Sequence, residues 1–384
     1  MPPKGFKKNA KKTDAAEVSE VAKKKPADVV PASEAMRDQL RASILKEYEY
    51  MLGAVPDRTV DLFPLHIPSL NKALGGGFPR GQIIHVYGTQ GAGKSTLAFH
   101  IAASVQAQGG HVLYFDSEVA AHAPYVQGLG INIDPSKFTH VKNLGGGEIA
   151  LDLAEKAVRS NTYELIVFDS VAALAPASIL DASNEQQHIG TQARMMSQAL
   201  LKLNNAASKS GTIILFVNQL RANINQFGHG KAYTVPGGNA LRYYSNIEMH
   251  MQRVGEIKEG EEIIGQRVRI RIEKNKIAPP YREVICNLIY GDGFRRDADL
   301  ILSAIDKGII KQAGSWYKLG EETIGQGLAS IKQYAKEHPE FLDMLEERLY
   351  GKLLSGNAPS KLSPDAITTT GTLSEPAEAA SNDE

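Results

Sequence analysis

The chain has 384 residues, of which 42% are hydrophobic, and its formal net charge is zero. This composition excludes a globally disordered chain, and the balanced charge excludes a uniformly basic nucleic-acid coat. The single cysteine, Cys286, excludes an internal disulfide and a thiolate zinc cluster, which favours a reducing, cytoplasmic compartment. No run of apolar residues is long enough to span a bilayer, and the N-terminus lacks a secretory signal, so we expect no membrane partner.

The two ends of the chain are expected to lack a hydrophobic core. Residues 1–33 are rich in lysine, alanine and proline, and we predict a disordered basic tail. Residues 357–384 carry more acidic than basic side chains and predict a disordered acidic tail. Between the basic tail and the core, residues 34–56 contain apolar side chains at helical spacing, beginning with Met36 and Leu40, which predicts an amphipathic helix.

Residues 57–297 alternate short apolar runs with helical patterns, which is typical of a largely parallel sheet wrapped by helices. Two later runs alternate polar with apolar residues and predict antiparallel strands added to that sheet. Residues 298–356 favour a small helical or α+β domain. The predicted strands are Gln82–Tyr87, His111–Asp116, Glu164–Asp169 and Thr212–Asn218, then Gln266–Glu273 and Arg282–Tyr290, and the predicted helices are Lys94–Gln106, Gly147–Ser160 and Thr191–Ser208.

A glycine-rich motif stands between the first of these strands and the first helix. Residues 88–95 match the pattern G-x-x-x-x-G-K-[ST], whose backbone N–H groups cradle a nucleotide triphosphate. Lys94 is expected to reach the β- and γ-phosphates of ATP, and the Ser95 hydroxyl to bind Mg²⁺. The predicted nucleotide-binding residues of this segment are Gly88, Thr89, Gln90, Gly91, Ala92, Gly93, Lys94, Ser95 and Thr96.

Two acidic residues follow other predicted strands. Asp169 ends the apolar run Leu165–Phe168, so we expect it at the carboxyl edge of the sheet as a second Mg²⁺ and nucleotide ligand. Glu118 comes just after another strand and is the candidate base for activating water. Without the glycine-rich motif, Glu118 would be read as a solvated loop acid.

Several further stretches resemble signature segments of the RecA recombinases and occur in that family's order. They are Asp169–Leu174, Ala193–Ala199, Phe216–Arg221, Pro236–Leu241 and Lys274–Ala278, joined by Ala313–Tyr317 and Ile324–Gly327 near the C-terminus. The resemblance covers about residues 65–335. It implies an α/β protein with a P-loop NTPase core of the RecA type, a mostly parallel central sheet, an N-terminal helix that docks protomers, and a small C-terminal α+β domain.

The resemblance also implies roles for individual side chains. The candidate base matches the family's water-activating glutamate, and Gln219 matches the glutamine that senses the γ-phosphate. Tyr125 and Tyr290 match aromatic residues that flank the adenine. Lys274 and Lys276 match catalytic lysines that reach the ATP of the neighbouring protomer.

The resemblance implies that two loops contact DNA. Loop one covers about residues 181–190, and loop two covers about residues 221–239. Loop two combines glycines with polar residues, which suits a mobile ligand loop, although the composition alone would equally suit a hairpin without a ligand. Backbone and amide groups are expected on phosphates, and an apolar side chain between base steps. The predicted DNA-binding residues are Arg194, Ser197, Arg221, Ile224, Phe227, Gly237, Gly238 and Asn239.

The implied function is an ATP-dependent recombinase that forms filaments on single-stranded DNA and pairs it with a homologous duplex in recombination, repair and the SOS response. Repressors, whose self-cleavage some relatives promote, and single-strand-binding proteins are further candidate partners. One alternative is a related P-loop DNA motor, a helicase or branch-migration enzyme without strand exchange. Another is an ATP-binding regulator that does not hydrolyse. Host and phage or plasmid origins both stay open.

Overall fold

The computed structural model describes residues 34–47, 60–117, 122–142, 144–180, 190–222, 233–234 and 239–351. Helix α1 (Glu34–Glu47) lies within the predicted N-terminal helix, and its Met36 and Leu40 side chains are exposed. The predicted continuation of this helix beyond Glu47 and both charged tails lie outside the described residues. No helix in the described ranges is long and apolar enough to cross a membrane.

The remaining helices and the strands are numbered in chain order. The helices are α2 (Pro68–Leu74), α3 (Lys94–Ala107), α4 (Ala123–Gly128), α5 (Gly147–Arg159), α6 (Ala177–Leu180), α7 (Thr191–Ser210), α8 (Asn239–Tyr244), α9 (Arg296–Asp306), α10 (Gly327–Glu337) and α11 (Pro339–Tyr350). The strands are β1 (Leu62–Phe63), β2 (Phe78–Pro79), β3 (Ile83–Gly88), β4 (Val112–Asp116), β5 (Phe138–Val141), β6 (Leu165–Asp169), β7 (Ile213–Gln219), β8 (Arg221–Ala222), β9 (Tyr233–Thr234), β10 (Ile247–Glu259), β11 (Glu262–Asn275), β12 (Glu283–Ile289), β13 (Gly293–Phe294), β14 (Ile310–Ala313), β15 (Trp316–Leu319) and β16 (Glu322–Gln326).

Among the described residues, nine strands between Ile83 and Phe294 form one sheet, in the order β13-β12-β11-β10-β3-β7-β6-β4-β5. The six strands from β10 to β5 run parallel. Strands β11, β12 and β13 join in antiparallel pairs, so the two predicted antiparallel additions are confirmed. The predicted α/β class with a mostly parallel sheet is therefore confirmed.

The inner parallel strands β3, β4, β6 and β7 are buried on both faces, which explains their continuous apolar runs. In β6, Leu165 and Val167 belong to one hydrophobic cluster, whereas Ile166 and Phe168 belong to another. The Phe168 ring stacks on Phe115 and Phe216 of the adjacent strands, with centroids 4.6 and 4.8 Å apart. Such aromatic pairs contribute about 0.5–1.5 kcal/mol each beyond their burial and help to fix the register of the strands.

The strand register brings several functional candidates to one edge of the sheet. Gly88 pairs with Gln219 across β3 and β7, and Asp116 pairs with Asp169 across β4 and β6. Because these strands are parallel, their carboxyl ends meet at the same edge, where ligands of open α/β sheets bind. The sheet topology therefore places four chain segments around one location.

The C-terminal part has its own hydrophobic cluster, which includes Ile301, Ile331 and Leu345, and the antiparallel sheet β14–β16. It is the predicted small α+β unit. At its junction with the core, the N–H and hydroxyl of Ser69 donate to the Asp299 carboxylate over 2.8 and 2.6 Å. The proposed boundary at residues 297 and 298 stays a prediction.

Candidate nucleotide and DNA site

A cavity of about 350 Å³ opens at the carboxyl edge of the sheet. Its volume lies in the range of about 300–1,000 Å³ that is usual for small-molecule sites. Most of its lining residues are predicted ones: Gln90, Gly91, Gly93, Lys94, Ser95, Thr96, Tyr125, Asp169, Gln219 and Tyr290. The remaining lining residues of the cavity were not predicted, and they are Gln266, Leu288 and Gly291. The predicted Gly88, Thr89 and Ala92 belong to the same loop but do not line the cavity.

Two glycines of this loop are required by close approach. A Cβ atom on Gly88 would lie 2.0 Å from the Met251 carbonyl oxygen of strand β10. Gly93 has a φ of 81°, and a Cβ there would lie 2.3 Å from Leu288 Cδ1. A side chain at Gly88 would collide with the β10 backbone, and one at Gly93 would need both a left-handed conformation and a shift of the Leu288 side chain. The spacing of the motif therefore follows from packing as well as from ligand geometry.

Lys94 begins helix α3 and is buried. Its Nζ donates to the Thr89 carbonyl oxygen over 2.8 Å, and the Ala92 N–H donates to the same oxygen over 3.3 Å. The loop thus curls around the lysine ammonium. Backbone N–H groups, the positive end of α3 and this ammonium together form a cradle that suits an anionic ligand.

Asp169 lies at the end of β6 and is 3% exposed. The Tyr114 hydroxyl donates to Asp169 Oδ2 over 2.8 Å. The Ser117 hydroxyl donates to the Asp169 carbonyl oxygen and accepts the N–H of Ser170, both over 2.8 Å. The Asp169 carboxylate is therefore held from β4. Tyr114 was not predicted from the sequence, although a phenol within an otherwise apolar buried strand was a usable signal.

Ser95 and Asp169 both line the cavity, one with a hydroxyl and one with a carboxylate. Within the described ranges, no group of three or more His, Cys, Asp or Glu side chains forms a metal site. Mg²⁺ commonly takes one or two protein oxygens and completes its shell with phosphates and water. The oxygens present fit Mg²⁺ bound together with a nucleotide and do not form a closed protein cage.

Two tyrosines stand at the cavity where adenine is expected. The Tyr125 hydroxyl lies 2.8 Å from Thr96 Oγ1, which fixes the ring against helix α3. Tyr290 is half exposed and is followed by Gly291, which has a φ of 91°. The two rings offer apolar surfaces at the mouth of the cavity.

Lys274 and Lys276 lie at and just beyond the end of β11 and do not line the cavity of their own chain. Lys274 Nζ donates to the carbonyl oxygens of Arg242 and Tyr243 over 2.6 and 3.2 Å. Burial, and then the charge of Lys276, lowers the pKa of Lys274. The lysine is thus held against the last turn of α8.

A charged network that sequence reasoning missed lies beside that lysine. Buried His85 and Glu248 approach to 3.3 Å between Nδ1 and Oε1, and Arg242 Nε lies 3.5 Å from the same carboxylate. The Tyr87 hydroxyl donates to Glu273 over 2.5 Å. Burial lowers the pKa of His85, which favours its neutral form. The network connects α8 to the strand that ends in the glycine-rich loop.

Three of the predicted DNA-binding residues are fully described. Arg194 and Ser197 are exposed on α7, where the Ser197 hydroxyl donates to the Ala193 carbonyl oxygen over 2.7 Å. Asn239 is exposed at the start of α8. The backbone of Arg221 pairs with Thr234 in a two-stranded ribbon. The Arg221 side chain, Ile224, Phe227, Gly237, Gly238 and the candidate base Glu118 lie outside the described residues.

The fold and this cavity define a P-loop nucleoside triphosphatase. The family models of the RecA N-terminal and C-terminal domains match residues 34–295 and 298–354. The chain therefore belongs to the RecA family, and its activity is that of a recombinase and DNA-dependent ATPase.

Curated relatives agree with this assignment. Protein RecA of Rubrobacter xylanophilus is 41% identical over 286 residues, which is 74% of this chain and 82% of the relative. Protein RecA of Lactobacillus johnsonii is 41% identical over 299 residues, which is 78% of this chain and 82% of the relative. Protein RecA of Bacillus licheniformis is 38% identical over 325 residues, which is 84% of this chain and 91% of the relative.

Proposed function

We propose that this chain binds ATP with Mg²⁺ at the P-loop cavity, assembles as a filament on single-stranded DNA and pairs that strand with a homologous duplex. One observation carries the proposal: Lys94, Asp169 and Gln219 come from three separate elements and line one cavity. Base pairing supplies the sequence matching, so protein contacts to DNA go mainly to the phosphate backbone.

In the nucleotide complex, Lys94 exchanges its bond to the Thr89 carbonyl for bonds to the phosphates, and the curled loop offers its N–H groups. Ser95 and Asp169 hold Mg²⁺, which neutralises phosphate charge when bound. Tyr114 orients the Asp169 carboxylate through its hydroxyl. Tyr125 and Tyr290 hold the adenine between their apolar faces.

Hydrolysis is assigned to residues from two protomers. Glu118 activates the water, and Gln219 registers the γ-phosphate, because an amide can both donate and accept. Lys274 and Lys276 complete the site of the neighbouring protomer, so hydrolysis requires the filament. Lys274 must first leave the α8 carbonyls that hold it within its own chain.

The residues proposed to contact DNA lie within the two loops or beside them. Loop one leads into α7, and loop two ends at α8, whose last turn binds Lys274. A displacement of α8 on DNA binding would therefore change the hydrogen bonds of the trans lysine. The proposed DNA-binding residues are Arg194, Ser197, Arg221, Ile224, Phe227, Gly237, Gly238 and Asn239.

We also propose a compartment, partners and domain bounds for the chain. The protein acts in the cytoplasm, and repressors and single-strand-binding proteins are candidate partners. The proposed organisation is a basic tail (1–33), a docking helix region (34–56), the ATPase core (57–297), the C-terminal domain (298–356) and an acidic tail (357–384).

The first test is ATP hydrolysis by the purified chain with and without single-stranded DNA, alongside Glu118→Gln. Glu321→Gln, an exposed change in the C-terminal part, is the matched control. We expect strong stimulation by DNA in the wild type and the control, and its loss in Glu118→Gln. A hydrolysis rate that is the same with and without DNA would indicate another P-loop enzyme. ATP binding without hydrolysis would indicate a regulator. Either result would overturn the proposal.

A further inference from the structure

Gln266 is a buried polar residue at the nucleotide cavity with no role in the proposal above. It lies in β11, is 3% exposed and lines the cavity. Its Nε2 donates to the Gly91 carbonyl oxygen over 2.7 Å. The bond joins residues 175 positions apart, from the antiparallel part of the sheet to the middle of the P-loop.

The cross-strand partner of Gln266 also contacts the loop. Gln266 pairs with Leu288 of β12, and Leu288 packs where a Cβ of Gly93 would otherwise be. One antiparallel pair therefore holds the P-loop at two glycines, by a hydrogen bond at Gly91 and by apolar contact at Gly93. A parallel sheet that ended at β10 would lack both contacts.

The bond to Gly91 has a specific effect on the loop. Gly91 has a φ of 72°, and a Cβ built on it would meet no atom within 4 Å, so packing does not restrain this side of the loop. The carbonyl and the following N–H of a planar trans peptide point in opposite directions. Holding the Gly91 oxygen on the β11 side therefore directs the Ala92 N–H away from β11, into the curl of the loop.

We propose that Gln266 is a positioning residue for nucleotide binding, which holds the Gly91–Ala92 peptide so that the Thr89–Ala92 turn keeps its curl around the Lys94 ammonium. This inference rests on the proposed use of the cavity for ATP. The amide acts before the ligand arrives, because it lowers the cost of ordering the loop. It acts on the loop that positions Lys94 and not on the base.

The test measures the affinity for ATP, ADP and GTP without DNA by isothermal titration, in the wild type, Gln266→Leu and Gln266→Glu. A single hydrogen bond is worth about 0.5–1.5 kcal/mol, so we expect affinities for all three nucleotides to fall by about twofold to tenfold in Gln266→Leu. Glu keeps the shape of Gln but cannot donate when ionised, so its affinities should fall at least as far. In DNA-stimulated hydrolysis, the KM for ATP should rise by the same factor while kcat stays within about twofold.

Gln312→Leu is the matched control, because Gln312 Nε2 also donates to a backbone carbonyl, that of Gly314 at 3.0 Å, on the exposed C-terminal sheet. It should leave nucleotide affinity unchanged. If Gln266→Leu lowers the unfolding temperature of the free protein, the affinities are compared at a temperature at which both proteins are folded. Wild-type affinity in Gln266→Glu would overturn the inference, and so would a loss confined to ATP and ADP, which would indicate direct contact with adenine. A wild-type chain that binds no nucleotide would instead refute the proposed function.

Discussion

Tyr114→Phe removes one hydroxyl from behind the proposed Mg²⁺ ligand and changes little else. Tyr114 is fully buried, and its ring stacks on Phe99 with centroids 5.0 Å apart, a contact that phenylalanine keeps. The lost bond, from the hydroxyl to Asp169 Oδ2, is 2.8 Å long and has an acidic acceptor. Hydrogen bonds to charged groups contribute about 1.5–3 kcal/mol, and loss of a group that orients a metal ligand typically costs about 10–100-fold in metal affinity.

The assay is DNA-stimulated ATP hydrolysis titrated with free Mg²⁺. We expect the half-saturating Mg²⁺ concentration of Tyr114→Phe to rise by at least about tenfold, while ADP binding without metal is unchanged. Tyr163→Phe is the matched control, since its hydroxyl bonds Thr139 over 3.1 Å away from the cavity. A Mg²⁺ curve for Tyr114→Phe that coincides with those of the wild type and the control would refute the assignment of Asp169 to the metal.

Three further predictions test other parts of the structure. Gly93→Ala should lower ADP affinity at least tenfold, as measured with a fluorescent ADP. The added Cβ would meet Leu288, and its positive φ costs about 1–3 kcal/mol. An affinity near that of the wild type would refute the claim that packing requires glycine at this position. Lys274→Ala should retain ATP binding but lose DNA-stimulated hydrolysis, and mixing it with Lys94→Ala should restore part of the activity; no recovery would contradict action in trans. Burial lowers the pKa of His66 to about 4 and that of His100 to about 3, so the unfolded chain binds more protons below about pH 6.5. Their contribution to stability should be complete above that pH and decline as the pH falls towards 4, and urea midpoints of His100→Gln should show a shallower decline than those of the wild type.

The sequence predicted the parts of the molecule that depend on local patterns. The strand Leu165–Asp169 differs from the predicted segment by one residue at its start, because an apolar run between breakers is readable without its neighbours. Helix α7 extends two residues beyond its predicted end, to Ser210, where Gly211 in the left-handed conformation terminates it. Element boundaries of this kind depend on caps that the apolar period does not reveal.

The missed residues whose side chains make specific contacts act across long sequence separations. Gln266 and its bond to Gly91 could not be predicted, because nothing near either residue indicates that β11 passes beside the P-loop. The pairing of His85 with Glu248 likewise depends on β3 and β10 being neighbours in the sheet. Such contacts require strand order and register, which the sequence of each strand alone does not specify.

Strand β11 carries residues for two different nucleotide sites when protomers assemble into a filament. Gln266 supports the P-loop of its own chain near one end of the strand, and Lys274, assigned to the next nucleotide, lies eight positions along it, about 26 Å away for an extended chain. In the proposed filament, one strand of each chain would therefore supply residues to two successive nucleotide sites, its own and that of the next protomer.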